Sequence, residues 1–518
     1  MQKINKVCFS RSARKISNYK DLKSKKHRIL YRALEILPGG LSWTALFLIV
    51  ILSWQKPVWI AIFIIVFDIY WLIKILYLST HLIFSYKHLK KNLKTNWLAK
   101  CKKIKNSQKI YHLIILPFYK EGLDVLETTF QALAKSDYPL NKMIIILASE
   151  KRARYKPYKN AQIIKKKYSK LFYKFMITRH PDNIAGEIAG KGSNESWAGR
   201  KAQKLINKLK IPYKNIICSV FDIDTCVHKK YLSSLTYNFL KQKNPHNCSY
   251  QPVAMYNNNL WDSPSLIRVI SASSTFWQMM QQERPEKLCT FSSHSMSFKT
   301  VVKVGFWQEN IVSEDSRIFF QCLFHFKGKY KVIPLLMPVY MDTVLDRKYW
   351  NSIKNQYKQQ RRWAWGCENV PWVIYHSIKT RSMPLWLKLR HSFDQLEGFY
   401  SWATASILVF VLGWLPLALG GEEFNRTVLA FNLPKLTSYI MTLAMLGMFI
   451  SAGISMLLLP KKPKKQKKHK YIFMALQWLL LPITTVCFGS FPALEAQTRL
   501  MLGKYMGFFV TPKTRKKQ

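Results

Sequence analysis

The chain of 518 residues carries 81 Lys and Arg against 27 Asp and Glu, which gives a formal net charge of +54. A charge this positive favours an anionic partner: nucleic acid, anionic lipid or a phosphorylated substrate. The hydrophobic fraction of 49% is ample for a core together with membrane spans. The nine cysteines form no C-x-x-C pair, so neither a disulfide framework nor a zinc site is indicated, and a reducing compartment is the simpler assumption.

The N-terminal part of the chain predicts a basic arm followed by a membrane hairpin. Residues 1–40 are rich in Lys and Arg and are expected to form a cytoplasmic tail beside the membrane. Residues 41–80 hold two apolar runs, Leu41–Trp54 and Val58–Leu78, with a tight break between them, so we expect a transmembrane hairpin. The long basic region and the immediate second span argue against a signal peptide.

Residues 105–345 alternate between segments of strand character and segments of helix character. The predicted strands are Ile110–Leu116, Met143–Ala148 and Leu171–Thr178, and the predicted helices are Leu123–Lys135, Lys159–Lys170 and Asn194–Lys208. This alternation predicts a parallel sheet covered by helices on both faces. In such sheets, ligands bind outside the carboxyl ends of the strands.

The apolar run Asn215–Thr225 predicts a fourth strand that ends in two carboxylates, Asp222 and Asp224. Because side chains alternate across a strand, residues two apart point the same way, and both carboxylates are expected to reach one site. Carboxylate oxygens suit Mg²⁺ or Mn²⁺. The alternative interpretation is a strand that runs into an Asp-rich turn with no role in metal binding.

Two further motifs follow the predicted sheet. Residues 313–315, Ser-Glu-Asp, open a predicted helix in which Ser313 suits the N-cap and the acids suit the helix dipole, so Asp315 also has a purely structural interpretation. Residues 346–395 predict amphipathic helices at the membrane interface, because Trp, Tyr, Lys and Arg are abundant there. The motif Gln359-x-x-Arg362-Trp363 places its three side chains on one helix face.

Residues 396–491 predict the C-terminal transmembrane helices. The apolar segments are Phe399–Leu419, Leu436–Leu459 and Tyr471–Phe491. The basic loop 461–470 should be cytoplasmic by the positive-inside rule. A full crossing by the last segment would then put residues 492–518 outside. Pro482, Gly489 and Pro492 permit a re-entrant segment instead, and the basic terminus favours it.

In this order the motifs resemble those of membrane-embedded family 2 glycosyltransferases, especially cellulose and hyaluronan synthases. The matching motifs are Leu116-Pro-Phe-Tyr-Lys-Glu121, Asp222-Ile-Asp224, Glu314-Asp315 and Gln359-Gln-Arg-Arg362-Trp363. The resemblance covers residues 110–370 well and the spans loosely. It implies an α/β GT-A (Rossmann-like) cytoplasmic catalytic domain inserted between transmembrane helices, in a multi-pass protein of the inner or plasma membrane.

The resemblance also implies roles for individual residues. Pro117 and Glu121 would lie by the nucleotide base. Asp222 and Asp224 would hold the diphosphate through the metal, and Asp315, preceded by the substrate-binding Glu314, would be the general base. Substrate binding is further implied for Gln359, Arg362 and Trp363. A gating loop over the nucleotide, with the pattern FxVTxK in residues 492–518, is implied for Phe508, Val510, Thr511 and Lys513.

Two positions depart from the family pattern or match it only loosely. Glu150 stands in Ala148-Ser-Glu150, where many relatives have an Asp pair, so we assign the base-binding role to Glu150. Lys191 lies in a Gly-rich loop, where relatives often have a basic residue that approaches phosphate. A plain loop is the alternative for that segment.

The function implied is inverting transfer from a nucleotide sugar, with UDP expected, to a growing polysaccharide, using Mg²⁺ or Mn²⁺. The expected partners are the donor, a glycan or lipid acceptor and membrane lipids, without nucleic acid. Two alternatives stay open: a single-addition transferase acting on a lipid or protein, and a non-enzymatic basic membrane protein that binds nucleic acid or anionic lipid. The sequence leaves the sugar, the linkage and the oligomeric state undetermined.

Overall fold

A mixed sheet of eight strands lies between two helical regions in the computed structural model, which describes residues 15–464, 466–467, 469–512 and 515. The strands are β1 (Tyr111–Pro117), β2 (Met143–Glu150), β3 (Lys174–His180), β4 (Ile216–Val220), β5 (Cys226–Val227), β6 (Cys248–Tyr256), β7 (Ser295–Ser297) and β8 (Lys331–Met341). Their order is β3-β2-β1-β4-β7-β6-β8-β5. Strands β1 to β4 are parallel, but β7 is antiparallel to β4 and β6. The expectation of a purely parallel sheet is therefore wrong beyond β4.

Helices surround this sheet and extend from both of its sides. They are α1 (Lys25–Gln55), α2 (Pro57–Lys94), α3 (Trp97–Lys102), α4 (Leu123–Ala134), α5 (Tyr155–Tyr168), α6 (Lys191–Lys208), α7 (Tyr231–Lys241), α8 (Ser265–Gln282), α9 (Phe298–Val304), α10 (Glu314–His325), α11 (Tyr349–Ala364), α12 (Asn369–Lys379), α13 (Leu385–Ile407), α14 (Leu415–Leu419), α15 (Gly421–Asn425), α16 (Val428–Leu457), α17 (Lys470–Leu476), α18 (Leu481–Thr485) and α19 (Phe491–Met501).

Alternate residues of the central strands point into two separate cores. Leu113 and Ile115 of β1 pack on one face with residues of α6 and α10, whereas Ile114 and Leu116 pack on the other with residues of α4, α5 and α7. All four side chains are fully buried. Burial on both faces explains why these strands read as continuous apolar runs.

The fourth predicted strand ends earlier than expected. β4 stops at Val220, and Asp222 and Asp224 lie in the loop that follows. The argument from strand alternation therefore does not apply to this pair. At the start of the loop, Phe221 N donates to Ile115 O. Within it, Thr225 N donates to Asp222 O and closes a turn.

The first helix begins well inside the expected basic tail. α1 starts at Lys25, so residues 25–40 are helical, and Tyr31 and Glu35 are fully buried. The Tyr31 ring packs edge-on against Tyr375, with the centroids 5.4 Å apart. Glu35 accepts hydrogen bonds from Tyr19 N and from the Tyr505 hydroxyl. These polar contacts with distant parts of the chain cannot be recognised in a local charge pattern.

Four helices of the described chain are long and apolar enough to cross a membrane, in line with a membrane protein. They are α1, α2, α16 and the helical run Lys470–Met501. The expected span Phe399–Leu419 is not among them. α13 ends at Ile407, a π-helical turn follows at Leu408–Leu412, and α14 starts at Leu415. Pro416 lacks the backbone N–H that a continuous helix needs there.

Both ends of the run Lys470–Met501 contact the part of the chain that carries the sheet. At its start, Lys470 Nζ donates to Trp261 O over 2.5 Å. Towards its end, Glu495 pairs with Arg361 of α11 at 2.5 Å. The re-entrant interpretation of this run stays a prediction.

Candidate active site

Four carboxylates surround one buried ammonium group at the start of α6. Lys191 Nζ lies 2.6 Å from Asp315, 3.1 Å from Asp222, 3.3 Å from Glu195 and 3.7 Å from Glu314. We call these five residues the acidic cluster. The loop after β4 contributes Asp222, α10 contributes Glu314 and Asp315, and Glu195 follows Lys191 by one helical turn. The structure thus brings together four residues predicted from three separate segments and a fifth, Glu195, that was missed.

The charges of the acidic cluster do not balance. Burial lowers the pKa of Lys191, but the neighbouring carboxylates outweigh it and raise that pKa well above its usual value. Burial also raises the pKa of Glu314 to about 8 and the pKa of Glu195 well above its usual range. One ammonium group therefore cannot keep all the carboxylates ionised, and a further cation would complete the cluster.

The oxygen atoms of the acidic cluster fit a hard divalent cation. One oxygen each from Glu195, Glu314 and Asp315 lie within 4.8 Å of one another. Glu195 Oε2, Glu314 Oε2 and Asp315 Oδ1 are buried and accept no hydrogen bond from the described residues. Carboxylate oxygen is the donor type that Mg²⁺ and Mn²⁺ take.

Asp224 has a different environment from Asp222. It is fully buried, and its Oδ2 accepts a hydrogen bond from Asp342 N at the end of β8 over 2.9 Å. Asn258 donates to Asp224 O and to Asp342 Oδ1. The second acid of the predicted metal pair is therefore fixed to the β8 edge, while the first lies against Lys191.

Asp315 lies in the first turn of α10 beside a neutral histidine. Its Oδ1 is 3.5 Å from His294 Nδ1. Burial lowers the pKa of His294. Trp307 Nε1 donates to His294 Nε2, which leaves the proton on Nδ1, facing Phe291 O at 3.0 Å. Both nitrogens of His294 are thus engaged, and Asp315 is the group of this pair that can accept a proton.

Glu368 holds the loop that precedes Asp315. Its Oε1 accepts from the backbone N of Val312 and Ser313 and from the Ser313 hydroxyl, at 3.0, 2.8 and 2.6 Å. Its Oε2 accepts from Trp365 Nε1 at 3.0 Å. Ser313 occupies the N-cap position of α10 but makes no capping bond, because its side chain donates to Glu368. Glu368, which sequence reasoning missed, therefore links α10 to the end of α11.

The QxxRW residues lie on α11 beneath the C-terminal segment. Gln359 Nε2 is 3.5 Å from Thr511 Oγ1. The Arg362 guanidinium lies 4.7 Å from the centre of the Phe508 ring. Trp363 packs against Tyr256 of β6, with the ring centroids 5.7 Å apart.

We call residues 503–512 together with 515 the C-terminal strap. Phe508 lies directly on Gly190, where an added Cβ would come within 2.7 Å of the ring. Arg515 binds Asp342 through two bonds, 2.7 Å from Nη2 to Oδ1 and 3.0 Å from Nε to Oδ2. Val510 is half-buried in the same strap. Lys513 lies outside the described residues, so its predicted role stays a prediction.

The residues predicted to bind the base lie at two neighbouring strand ends. Pro117 ends β1 and pairs in register with Ala148 of β2, whose last residue is Glu150. Glu121 accepts a hydrogen bond from Tyr119 N at 2.7 Å. Glu150 pairs with Arg152, whose guanidinium stacks 4.3 Å from the Tyr119 ring. This edge therefore offers a stacked aromatic and guanidinium group besides the predicted residues.

Comparison with known proteins gives one family. A sequence model described as Glycosyl transferase family group 2 matches residues 218–488, more than half of the chain. A mannosyltransferase from Pyrobaculum calidifontis, solved with GDP-Man and Mn²⁺, aligns at a TM-score of 0.45 with 13% identity, covering 85% of this chain and 100% of that one. S. aureus TarS residues 1–349, solved with UDP-GlcNAc, aligns at a TM-score of 0.37 with 10% identity, covering 76% of this chain and 93% of that one. No curated protein matches the sequence.

Proposed function

We propose, from the premise that this chain belongs to glycosyl transferase family group 2, that it transfers sugar from a nucleotide-sugar donor to a growing polysaccharide with inversion. Family membership and the mixed sheet confirm the expected α/β GT-A domain between helical regions. Resemblance to cellulose and hyaluronan synthases supports a UDP-sugar and a polymeric product. The sidedness we propose, with the sheet on the cytoplasmic face, is supported by the contact of the basic 461–470 loop with Trp261.

The acidic cluster is the observation that supports this chemistry most directly. Transfer leaves negative charge on the diphosphate, and a divalent ion bound by the cluster would offset that charge. We assign to Asp315 the role of taking the proton of the acceptor hydroxyl, because its Oδ1 has no hydrogen-bond donor in the described chain, while Glu195 and Glu314 offer buried oxygens to the ion. We assign to Arg362, which lies under the Phe508 ring of the strap, the role of a charge-assisted donor to a phosphate oxygen.

The strap and α11 support a polymer as the product. Trp363 provides an aromatic face next to Tyr256, suited to stacking against a sugar ring. The strap lies over Gly190 and Arg362, where it would shield a bound nucleotide from water. A single-addition transferase would need the same acids but no platform for a growing chain.

The test is nucleotide release by the purified chain with a panel of UDP- and GDP-sugars and either Mg²⁺ or Mn²⁺. We expect release from one donor type, loss of release in excess chelator, and a product that lengthens with time. Trp363→Ala should shorten the product while donor hydrolysis partly survives. A product of one added sugar would instead support single addition. The absence of release from every donor with both ions would contradict the proposed activity.

A further inference from the structure

A buried guanidinium with no acidic partner among the described residues lies at the start of α8, outside the acidic cluster. Arg268 is 5% exposed. Its three donors reach Gln477 Oε1 at 2.7 Å, Ser263 O at 2.6 Å and the Ser265 hydroxyl at 2.8 Å. All three partners are neutral, and burial lowers the pKa of Arg268, with no carboxylate of the described chain to oppose this shift. Removing a cation from water without a counter-ion is costly, so this environment favours a bound anion.

Arg268 opens into a cavity of about 400 Å³ with a cationic lining. Lys467, His469 and Lys470 also line the cavity, and Phe473 adds an apolar side chain. Among the residues that the structure describes, no carboxylate lines the cavity. Lys470 is held in place because its Nζ donates to Trp261 O and to Gln466 Oε1, at 2.5 and 2.8 Å. The cavity thus has the charge and the fixed donors of an anion site.

The position of the cavity indicates the kind of anion. Lys467 lies between two helices long enough to cross a membrane, α16 and the run Lys470–Met501, and Lys470 is the first residue of that run. Directly beyond it, Ile472, Phe473 and Leu476 expose 62, 59 and 54% of their surface. An apolar face next to a cationic pocket matches an acyl chain next to a phosphate headgroup.

We propose that this cavity binds the phosphate headgroup of an anionic phospholipid, with the acyl chains along the exposed face of α17. Arg268 and Lys470 supply fixed donors to the phosphate, and Lys467, which is exposed, adds charge at the mouth. The binding does not depend on glycosyl transfer. A chain that transfers no sugar would still bind the lipid if the cavity works as proposed.

The experiment measures equilibrium binding of fluorescent phosphatidylglycerol to the purified full chain in neutral detergent. Lys467→Glu reverses a charge on the cavity wall. Lys464→Glu makes the same change at an exposed position of the same loop that does not line the cavity, and serves as its matched control. We expect Lys467→Glu to weaken binding about tenfold and Lys464→Glu to change it less than about threefold. Arg268→Gln should weaken binding at least as much as Lys467→Glu.

Competition identifies the source of the phosphate. Unlabelled short-chain phosphatidylglycerol should displace the probe, whereas short-chain phosphatidylcholine and inorganic phosphate should not do so at the same concentration. Equal losses of lipid affinity in Lys467→Glu and Lys464→Glu would show that the charge of the whole loop attracts the lipid, and would overturn the proposal of a specific binding cavity. Displacement by inorganic phosphate at the same concentration would assign the cavity to a soluble anion and overturn the proposal that it binds a phospholipid. If Arg268→Gln does not fold, the comparison of Lys467→Glu with Lys464→Glu decides alone.

Discussion

Lys191 and Arg268 are both buried cations, but the chain surrounds them in opposite ways. Lys191 lies among four carboxylates, and its pKa is raised because their attraction exceeds the cost of burial. Arg268 has only neutral partners, and burial lowers its pKa. In the first site the chain provides more counter-charge than the cation needs, and in the second the described residues provide none. The difference indicates the charge of the ligand that each site favours: a further cation at Lys191, and an anion at Arg268.

The largest expected effect is the loss of sugar transfer in Asp315→Asn, which tests whether Asp315 is the carboxylate that takes the proton. Asp315→Asn keeps the shape and a polar group in the first turn of α10, but it cannot take a proton. Transfer should fall by about 10²–10⁴ while nucleotide affinity holds. The assay is nucleotide release with donor affinity measured in parallel. Asp124→Asn removes an exposed first-turn acid from α4 and should leave transfer unchanged. Loss of folding in Asp315→Asn would favour the structural interpretation of Asp315.

The next largest effect is expected when Lys191, the cation that the chain itself provides to the acidic cluster, is replaced. Lys191→Met should destabilise the metal-free chain by about 3 kcal/mol, since it leaves buried acids without a partner. Added Mn²⁺ should recover part of the lost stability, because the cluster then gains another cation. The measurement is the thermal midpoint of unfolding, without and with Mn²⁺. Lys201→Met, which changes an exposed residue of the same helix, is the control in both conditions. Equal midpoints for the two variants would show that the cluster does not depend on Lys191.

A third prediction concerns pH. Glu314 has its pKa raised to about 8 in the metal-free chain by burial and by Asp315, so a cation must displace its proton to bind it. Mn²⁺ affinity should therefore increase as pH rises from 6 to 8, by up to about tenfold per unit, and level off above that pKa. Glu314→Gln should flatten this rise. A calorimetric titration at several pH values measures it, and an equally steep rise in the variant would contradict the assignment.

The raised pKa of Glu314 also predicts the direction of the pH effect on folding. Between its unfolded value of 4.5 and about 8, the folded metal-free chain holds a proton that the unfolded chain has released. Stability is therefore greatest below the lower value and declines as pH rises through the folded pKa. Glu314→Gln should make that decline shallower, which thermal unfolding at pH 5 and pH 8 can measure.

Much of the sheet domain was predictable because its information is local. β1, β2 and α4 begin and end within two residues of the predicted bounds, since their apolar patterns decide their burial. The antiparallel β7 was not predictable, because three residues give no period and their pairing with β4 depends on distant contacts. The start of α1 was missed for a related reason. Its basic sequence resembles a solvated tail, while Glu35 is buried by Tyr505, some 470 positions away.

Single residues of the site were also predictable only where a local sequence motif marks them. Asp222, Glu314 and Asp315 stand in motifs whose order is informative, and the structure brings them to one ammonium group. Glu195 and Glu368 stand in no such motif. An acid inside a helix usually marks a solvated face, so only its spacing of four from Lys191 distinguishes Glu195. The strand-alternation argument for Asp224 was wrong because an apolar run does not show where the strand hydrogen bonds end, and its metal-binding role stays a prediction.

The smallest effect tests whether a counter-charge provided by the chain also holds the C-terminal strap. Arg515 pairs with the fully buried Asp342, which in turn donates its backbone N–H to Asp224. Arg515→Gln removes the charge and the two-point geometry, so the strap should open more often and the donor KM should rise about fivefold with little change in kcat. Arg515→Lys keeps the charge alone and should give an intermediate KM. A KM unchanged in both variants would show that the strap is held by Phe508 on Gly190 rather than by its ion pair.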